Sequence, residues 1–282
     1  MGGAVVATVL IAALLHATWN ALAHNISDKL AGFVLICLAD TICCAVLVAF
    51  VPVPARGSWP FLAASVALEV GYQFCLLQAY RLGEFGQMYP IARGSAPLIV
   101  AVVATTVLSQ PLPPAELAGI LVICAGLLGL AFAGGLPRRH HWPALLAALG
   151  TGVLIASYTI VDGVGVRRAD TVLGYVAWIF LLQGPVLPLV AFLRFGRSLG
   201  PRLRPHLVRG LTGGVLSLIA YGLVVWAQSR GALAPIAALR ETSIVIATVI
   251  ATLVFREPFG RVRLVASIAV VAGILLLNVG PL

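Results

Sequence analysis

Five charged side chains, Asp40, Glu69, Arg93, Arg240 and Glu241, stand well inside stretches of sequence that are otherwise apolar. An unpaired charge near the centre of a bilayer costs about 2.5–3.5 kcal/mol on insertion scales. Five such groups facing lipid would cost on the order of 10 kcal/mol, as much as the whole stability of a typical protein. They must therefore face one another or a water-filled cavity. Acids and bases held in that way can carry a proton, bind an ion or hold a charged solute.

Helical spacing sorts these groups onto faces. Between residues 60 and 80, Glu69, Tyr72, Gln73 and Tyr80 share one face at i, i+3, i+4 and i+11. A lag of 148 residues finds Ser217, Ala220, Tyr221 and Gln228, so most of that polar stripe recurs. A cavity lining and an interhelical hydrogen-bond seam both account for it. His16, Trp19, Asn20 and His24 form a second one-sided stripe, matched by Tyr158, Thr159 and Asp162. His16 reads either as a hydrogen-bonded packing residue or as a ligand or proton carrier, and Asp162 as an interface residue.

Arg93 and Arg240 align at a lag of 147. Each falls about seven or eight residues into its apolar stretch, roughly 10–12 Å deep at the α-helical rise, and the two are expected in opposite leaflets. They can snorkel or attract an anionic group. Pro90 and Pro97 flank Arg93 and predict a kink there. Glu241 is a candidate counter-ion for Arg240 or a neighbour. The substrate-binding candidates are thus Arg93, Arg240, Gln73, Tyr221, Trp19, Asn20 and Tyr158, and the proton-coupling candidates are Glu69, Asp40 and His16.

Competing chemistries find little support. There is no His-Glu-x-x-His helix, no Gly-Lys-Ser/Thr phosphate loop and no paired-cysteine zinc pattern, so no metal, no cofactor and no enzyme activity is expected. Gly163-Val164-Gly165 reads as a loop beside two arginines. Cys37, Cys43, Cys44, Cys75 and Cys124 all fall in apolar runs and read as packing residues.

The elements that must position these residues follow from composition. The 282 residues are 61% hydrophobic and only 10% charged, against about 25% charged in a soluble domain. Apolar runs of about 20 residues recur, the length that spans roughly 30 Å of hydrocarbon, and they lack the alternation of barrel strands. Helices are therefore predicted near 4–23, 30–51, 60–80, 86–108 and 114–134, then 143–163, 171–193, 208–228, 233–255 and 262–280. Met1-Gly2-Gly3 lacks the basic region of a cleavable signal, so 4–23 is read as a permanent span. The fold class is an all-α membrane protein of ten transmembrane helices, built as two inverted five-helix repeats over residues 1–136 and 137–282, with the hinge at Pro137-Arg138-Arg139-His140-His141. Leu14-Leu15-His16-Ala17-Thr18-Trp19-Asn20 lines up with Val153-Leu154-Ile155-Ala156-Ser157-Tyr158-Thr159, and Ser109-Gln110-Pro111 with Arg256-Glu257-Pro258. An odd number of helices per repeat turns the second half over, an arrangement secondary transporters use to build a midplane site.

On these residues the chain resembles the EamA-type members of the drug/metabolite transporter superfamily. The turn Val254-Phe255-Arg256-Glu257-Pro258, the closing Ala272-Gly273-Ile274-Leu275 helix and the opening His16-Ala17-Thr18-Trp19-Asn20 helix carry the likeness. It implies transport of a small metabolite on a shared scaffold, without identifying the substrate. Gln110 stands in the first half where the second has Glu257, so whatever that carboxylate does is not duplicated.

The formal charge of +9 gathers in short connections, as membrane topology demands, and no basic patch interleaved with aromatics points to nucleic acid. Twelve Lys and Arg fall on the side opposite the N-terminus and four, Arg56, Arg167, Arg168 and Arg230, on its own side. The positive-inside rule then places both termini outside the cytoplasm, whereas the resemblance implies termini inside. The chain is expected to be a multi-pass protein of the inner (plasma) membrane, monomeric or homodimeric. Its expected activity is secondary active transport of a small anionic or zwitterionic metabolite (amino-acid-, organic-acid- or phosphonate-like) by alternating access, possible coupling to a proton included. A flippase or other handler of lipid-linked substrates, or a membrane-embedded enzyme, is the alternative.

Overall fold

The structure, a computed structural model, describes residues 2–24, 26–83, 85–131, 142–254 and 260–278, and these are helical with short connections. The helices are α1 (Gly3–His24), α2 (Lys29–Leu47), α3 (Trp59–Leu82), α4 (Phe85–Thr106), α5 (Pro114–Ala131), α6 (Trp142–Val166), α7 (Val172–Gln183) and α8 (Val186–Phe195). They continue as α9 (Leu199–Leu203), α10 (Leu207–Arg230), α11 (Leu233–Arg240), α12 (Thr242–Val254) and α13 (Arg261–Asn278). Eight stretches among the described residues are long and apolar enough to cross a membrane, one of them the composite Val172–Arg230, and Leu264–Leu277 is a shorter apolar helix. The junction at 137–141, the turn at 255–259 and the side chains of His24 and Tyr80 lie outside the described residues.

The helices bury polar groups and expose apolar ones, the reverse of a water-soluble domain. Leu14, Ile42, Val102, Leu146, Leu193, Val208, Val265 and Leu275 point outward, while Asp40, Glu69, Arg93, Asp162, Arg240 and Glu241 are buried. Such an exterior suits hydrocarbon, and such an interior satisfies the sequence argument that the charges meet one another.

Packing pairs recur between α1–α5 and α6–α13. α3 lies against α6 and α10 against α1; α4 lies against α6 and α12 against α1; α2 meets α10 and α3 meets α7; α5 crosses α13. The last crossing is a close one. A Cβ on Gly119 would stand 2.7 Å from the Gly273 carbonyl oxygen, and one on Gly273 equally close to that of Gly119. Only glycine lets these backbones touch, as small-residue interfaces in membranes require.

The connections gather at two ends of the bundle. The Ala55 amide donates to the Ala169 carbonyl at 3.1 Å, Arg167 donates to the carbonyls of Gln228 and Gly231, and the Leu233 amide donates to Gln110 Oε1 at 3.1 Å. These bonds join the α2–α3, α6–α7, α10–α11 and α4–α5 connections at one end. A different pairing, Arg202 with Asp28 at 2.7 Å, ties the region between α8 and α10 to the α1–α2 connection.

Two local features depart from expectation. α4 is helical through Pro90 and Pro97, and the stretch between them is buried against α5, α6 and α11. The first departure is an interruption on the facing segment, between α11 and α12 at Glu241. There the chain tightens to three-residue spacing, Glu241 donating to the Ala238 carbonyl and Ile244 to that of Glu241, both at 3.0 Å. The second change concerns Gly163-Val164-Gly165, which forms the last turns of α6 rather than a loop. A Cβ at Gly163 would press into Leu233 and one at Gly165 into Tyr175, so small residues here let α6 approach its neighbours.

Candidate functional site

Two buried clusters occupy the interior, and Arg240 lies within electrostatic range of both. In the first, Arg93 on α4 meets Glu241 at the α11/α12 interruption. Arg93 Nε donates to Glu241 Oε2 at 2.9 Å and Arg93 Nη2 to Ser243 Oγ at 3.4 Å. Arg240 Nε stands 4.0 Å from Glu241 Oε1, beyond hydrogen-bond reach, and both atoms are buried without a hydrogen-bond partner. The two arginines, expected from the sequence in opposite leaflets, are both near Glu241. They converge on one carboxylate, because the interruption swings Glu241 toward α4. Pro97 also lacks the amide that would bond the Arg93 carbonyl four residues earlier, leaving backbone polarity at the same level of α4.

The second cluster joins three long helices. The Tyr221 hydroxyl on α10 stands 2.6 Å from Glu69 Oε1 on α3 and 2.5 Å from Asp162 Oδ2 on α6. Tyr175 on α7 donates to Asp162 Oδ1 at 3.3 Å. One turn along α3 from Glu69, the Gln73 amide donates to Gln183 Oε1 of α7 at 3.4 Å. Phe180 packs edge-on against the Tyr221 ring, centroids 5.0 Å apart, and fixes its position. Asp40 on α2, buried and with Oδ1 unpartnered, lies within electrostatic range of Glu69.

The remaining candidates are arranged around these clusters. Tyr158 stacks edge-on with Tyr72, centroids 5.7 Å apart, within electrostatic range of both arginines. His16 on α1 lies within range of both arginines as well. Its Nδ1 accepts from Trp19 Nε1 at 3.2 Å, and Asn20 donates to the His16 carbonyl at 2.8 Å. Trp19 and Asn20 are thus engaged by their own helix turn, Trp19 on the imidazole and Asn20 on the backbone carbonyl of His16.

Sequence reasoning gave too little weight to Asp162 and Glu241, and Tyr175 and Gln183 were not singled out. Asp162 is the single acid in the whole of α6, on the face of Tyr158 and Thr159, which was the available signal. Glu241 had only its adjacency to Arg240. Tyr175 and Gln183 lie in an apolar helix, and only assembly brings them to Asp162 and Gln73.

Comparisons with known proteins agree with this architecture. The sequence model of the EamA-like transporter family matches residues 142–279, which run from α6 through α13. Among the solved chains that match is a crystal structure described simply as that of a protein, with a TM-score of 0.78 at 20% identity, covering 98% of this chain and 96% of that one. At that identity the likeness is one of fold. No curated protein matches the sequence.

Proposed function

We propose that this chain, whose residues 142–279 match the model of the EamA-like transporter family, is a multi-pass membrane transporter of the drug/metabolite superfamily and works as a secondary transporter of a small anionic or zwitterionic metabolite. In this reading residues 1–136 and 137–282 are inverted five-helix repeats making ten crossings in the inner membrane, with both termini outside the cytoplasm. Three observations support the two-repeat reading: the recurrence of packing pairs between the halves, the reciprocal Gly119–Gly273 crossing and the sorting of connections to two ends. Alternating access then exposes the interior clusters to each side in turn.

The observation that carries the substrate class is the Arg93–Glu241–Arg240 cluster at a helix interruption. Two guanidiniums share one carboxylate, and the Arg240 Nε donor is buried without an acceptor. A carboxylate or phosphonate of the substrate would supply the missing acceptor. Interrupted helices are where transporter sites form, since their backbone can be irregular only when it lines a cavity. Tyr158, Gln73 and Tyr221 line the approach, Trp19 and Asn20 act through His16, and Glu69 carries the coupling proton, with Asp40 and His16 as the other titratable groups in range.

Counterflow in proteoliposomes tests the reading, over a panel of amino acids, organic acids, phosphonates and sugars. Exchange of an anionic or zwitterionic member is expected. Exchange confined to neutral sugars would overturn the substrate class, and no exchange across the panel would overturn the transport of such metabolites.

A further inference from the structure

The second cluster carries more than a single proton acceptor. We infer that Glu69, Tyr221 and Asp162 form a proton relay that holds one transferable proton between the two halves, with Tyr221 as the relay and Asp162 as its outer terminus. This deepens the transporter reading and rests on it for its role in the cycle, while its chemistry stands on geometry.

The Tyr221 oxygen lies within hydrogen-bond reach of both acids, with the Asp162 contact at the short limit of the O–H···O range. A tyrosine hydroxyl has one hydrogen, and an ionised carboxylate can only accept. If both acids were ionised, one contact would set lone pair against lone pair. One carboxyl therefore carries a proton and donates it to the Tyr221 oxygen. Asp162 also accepts at Oδ1 from Tyr175, and this second donor favours its ionised form over that of Glu69, so the inferred chain of donors runs from Glu69 to Tyr221 to Asp162.

Transfer along it balances simply. The Glu69 O–H bond breaks as that proton bonds to the Tyr221 oxygen, and the proton Tyr221 held forms an O–H bond on Asp162 Oδ2. Tyr221 ends neutral, and one proton has moved from α3 to α6. Asp162 lies one turn before α6 ends at Val166, at the end of the bundle where Ala55 meets Ala169. Glu69 faces the interior, in range of Asp40 of α2 and Arg240 of α11. Two further buried groups point into the cluster. The fully buried Ser65 hydroxyl lies beside Asp162, and Asp40 Oδ1 is buried without a hydrogen-bond partner. The titratable groups around the relay are thus Asp40 and Cys37 from α2, Tyr158 from α6, Tyr175 from α7 and Arg240 from α11. Motion that separates α3 from α6 and α10 breaks the relay, so proton transfer is confined to the conformation in which the halves meet here.

Infrared spectroscopy of the purified full-length chain in lipid nanodiscs at neutral pH, without substrate, reads the proton directly. Wild type should show a protonated-carboxyl band beyond any that Asp40→Asn removes. A single shared proton requires that Glu69→Gln and Asp162→Asn each abolish that band, since the remaining carboxylate keeps Tyr221 as a donor and ionises. Tyr221→Phe, which keeps the ring against Phe180, should retain the band at a shifted wavenumber. No band from Glu69 or Asp162, a band abolished by one substitution alone, or an unmoved band in Tyr221→Phe would each overturn the relay. Should either acid variant fail to fold, the Tyr221→Phe spectrum decides. Wild-type counterflow in the same lipid is scored separately, so lost transport with intact bands sinks the transporter reading and not the relay.

Discussion

The arginine cluster and the carboxylate cluster are both buried, polar and built across helices of both halves, yet they hold their charge in opposite ways. Arg93 and Arg240 cannot be deprotonated in a protein, so their field is permanent and must be met by Glu241 or by a ligand. Glu69 and Asp162 meet only if a proton joins them, so their charge depends on conformation and pH. Permanent positive charge suits capture of an anion, and switchable negative charge suits coupling. Arg240 stands within range of both, and in the proposed cycle occupancy of one cluster would be felt at the other through it.

The sharpest way to break this contrast is to remove one partner of the permanent pair. Arg93→Gln leaves Glu241 buried without its 2.9 Å partner, and breaking a buried pair costs about 3–5 kcal/mol. A marked fall in detergent melting temperature is expected, largely recovered in the Arg93→Gln/Glu241→Gln double variant. A single variant that melts like wild type would show that the pair contributes nothing and free Arg93 for substrate.

Arg240, whose Nε has no acceptor, should respond in affinity rather than in melting. Losing one charge-assisted hydrogen bond is worth roughly 1.5–3 kcal/mol, about 10- to 150-fold in binding. Arg240→Gln should therefore weaken half-saturation of counterflow by that factor, and lysine should rescue only in part because it lacks the planar fork. Unchanged affinity in a folded variant removes Arg240 from the substrate site.

The carboxylate cluster is tested by driving force. One proton per cycle adds about 1.4 kcal/mol per pH unit, roughly tenfold accumulation. Glu69→Gln should erase that tenfold gain under a one-unit gradient and spare exchange at equal pH. If gradient-driven uptake survives intact, coupling lies elsewhere.

The smallest effect belongs to the half-buried pair at the bundle end. Asp28 caps α2 through the Ala31 amide at 3.1 Å and meets Arg202. Partial burial pushes its carboxyl up, but the Ala31 amide and Arg202 outweigh this and hold it below the usual carboxylate range. Asp28→Asn keeps a capping oxygen and removes the charge, so it should cost less than about 1 kcal/mol. A depressed folded value means this stability is present above the unfolded value near pH 4 and is lost as pH falls through the folded one. Melting curves of the two proteins should therefore converge in acid; a difference that grows there would reverse the assignment.

Much of this was legible in the chain itself. Apolar runs of bilayer length predict helices, and the observed boundaries of α1 to α6, α10 and α13 follow them within a few residues, because hydrocarbon leaves the backbone no alternative to internal hydrogen bonds. The burial of Asp40, Glu69, Arg93, Arg240 and Glu241 follows from the same solvent argument. Which of these groups meet could not be read from spacing. Periodicity orders residues along one helix but carries no information about the rotation and height of its neighbours, so the 2.5 Å and 2.6 Å contacts of Tyr221 with acids 59 and 152 residues away are properties of assembly. The interruption at Glu241 lacks a proline or glycine to announce it, while α4 stays helical through both of its prolines. The sequence by itself determined that charge would be buried in a membrane bundle, since desolvation is a property of each residue. Tertiary structure alone decided which charges pair, since that depends on where separate helices cross.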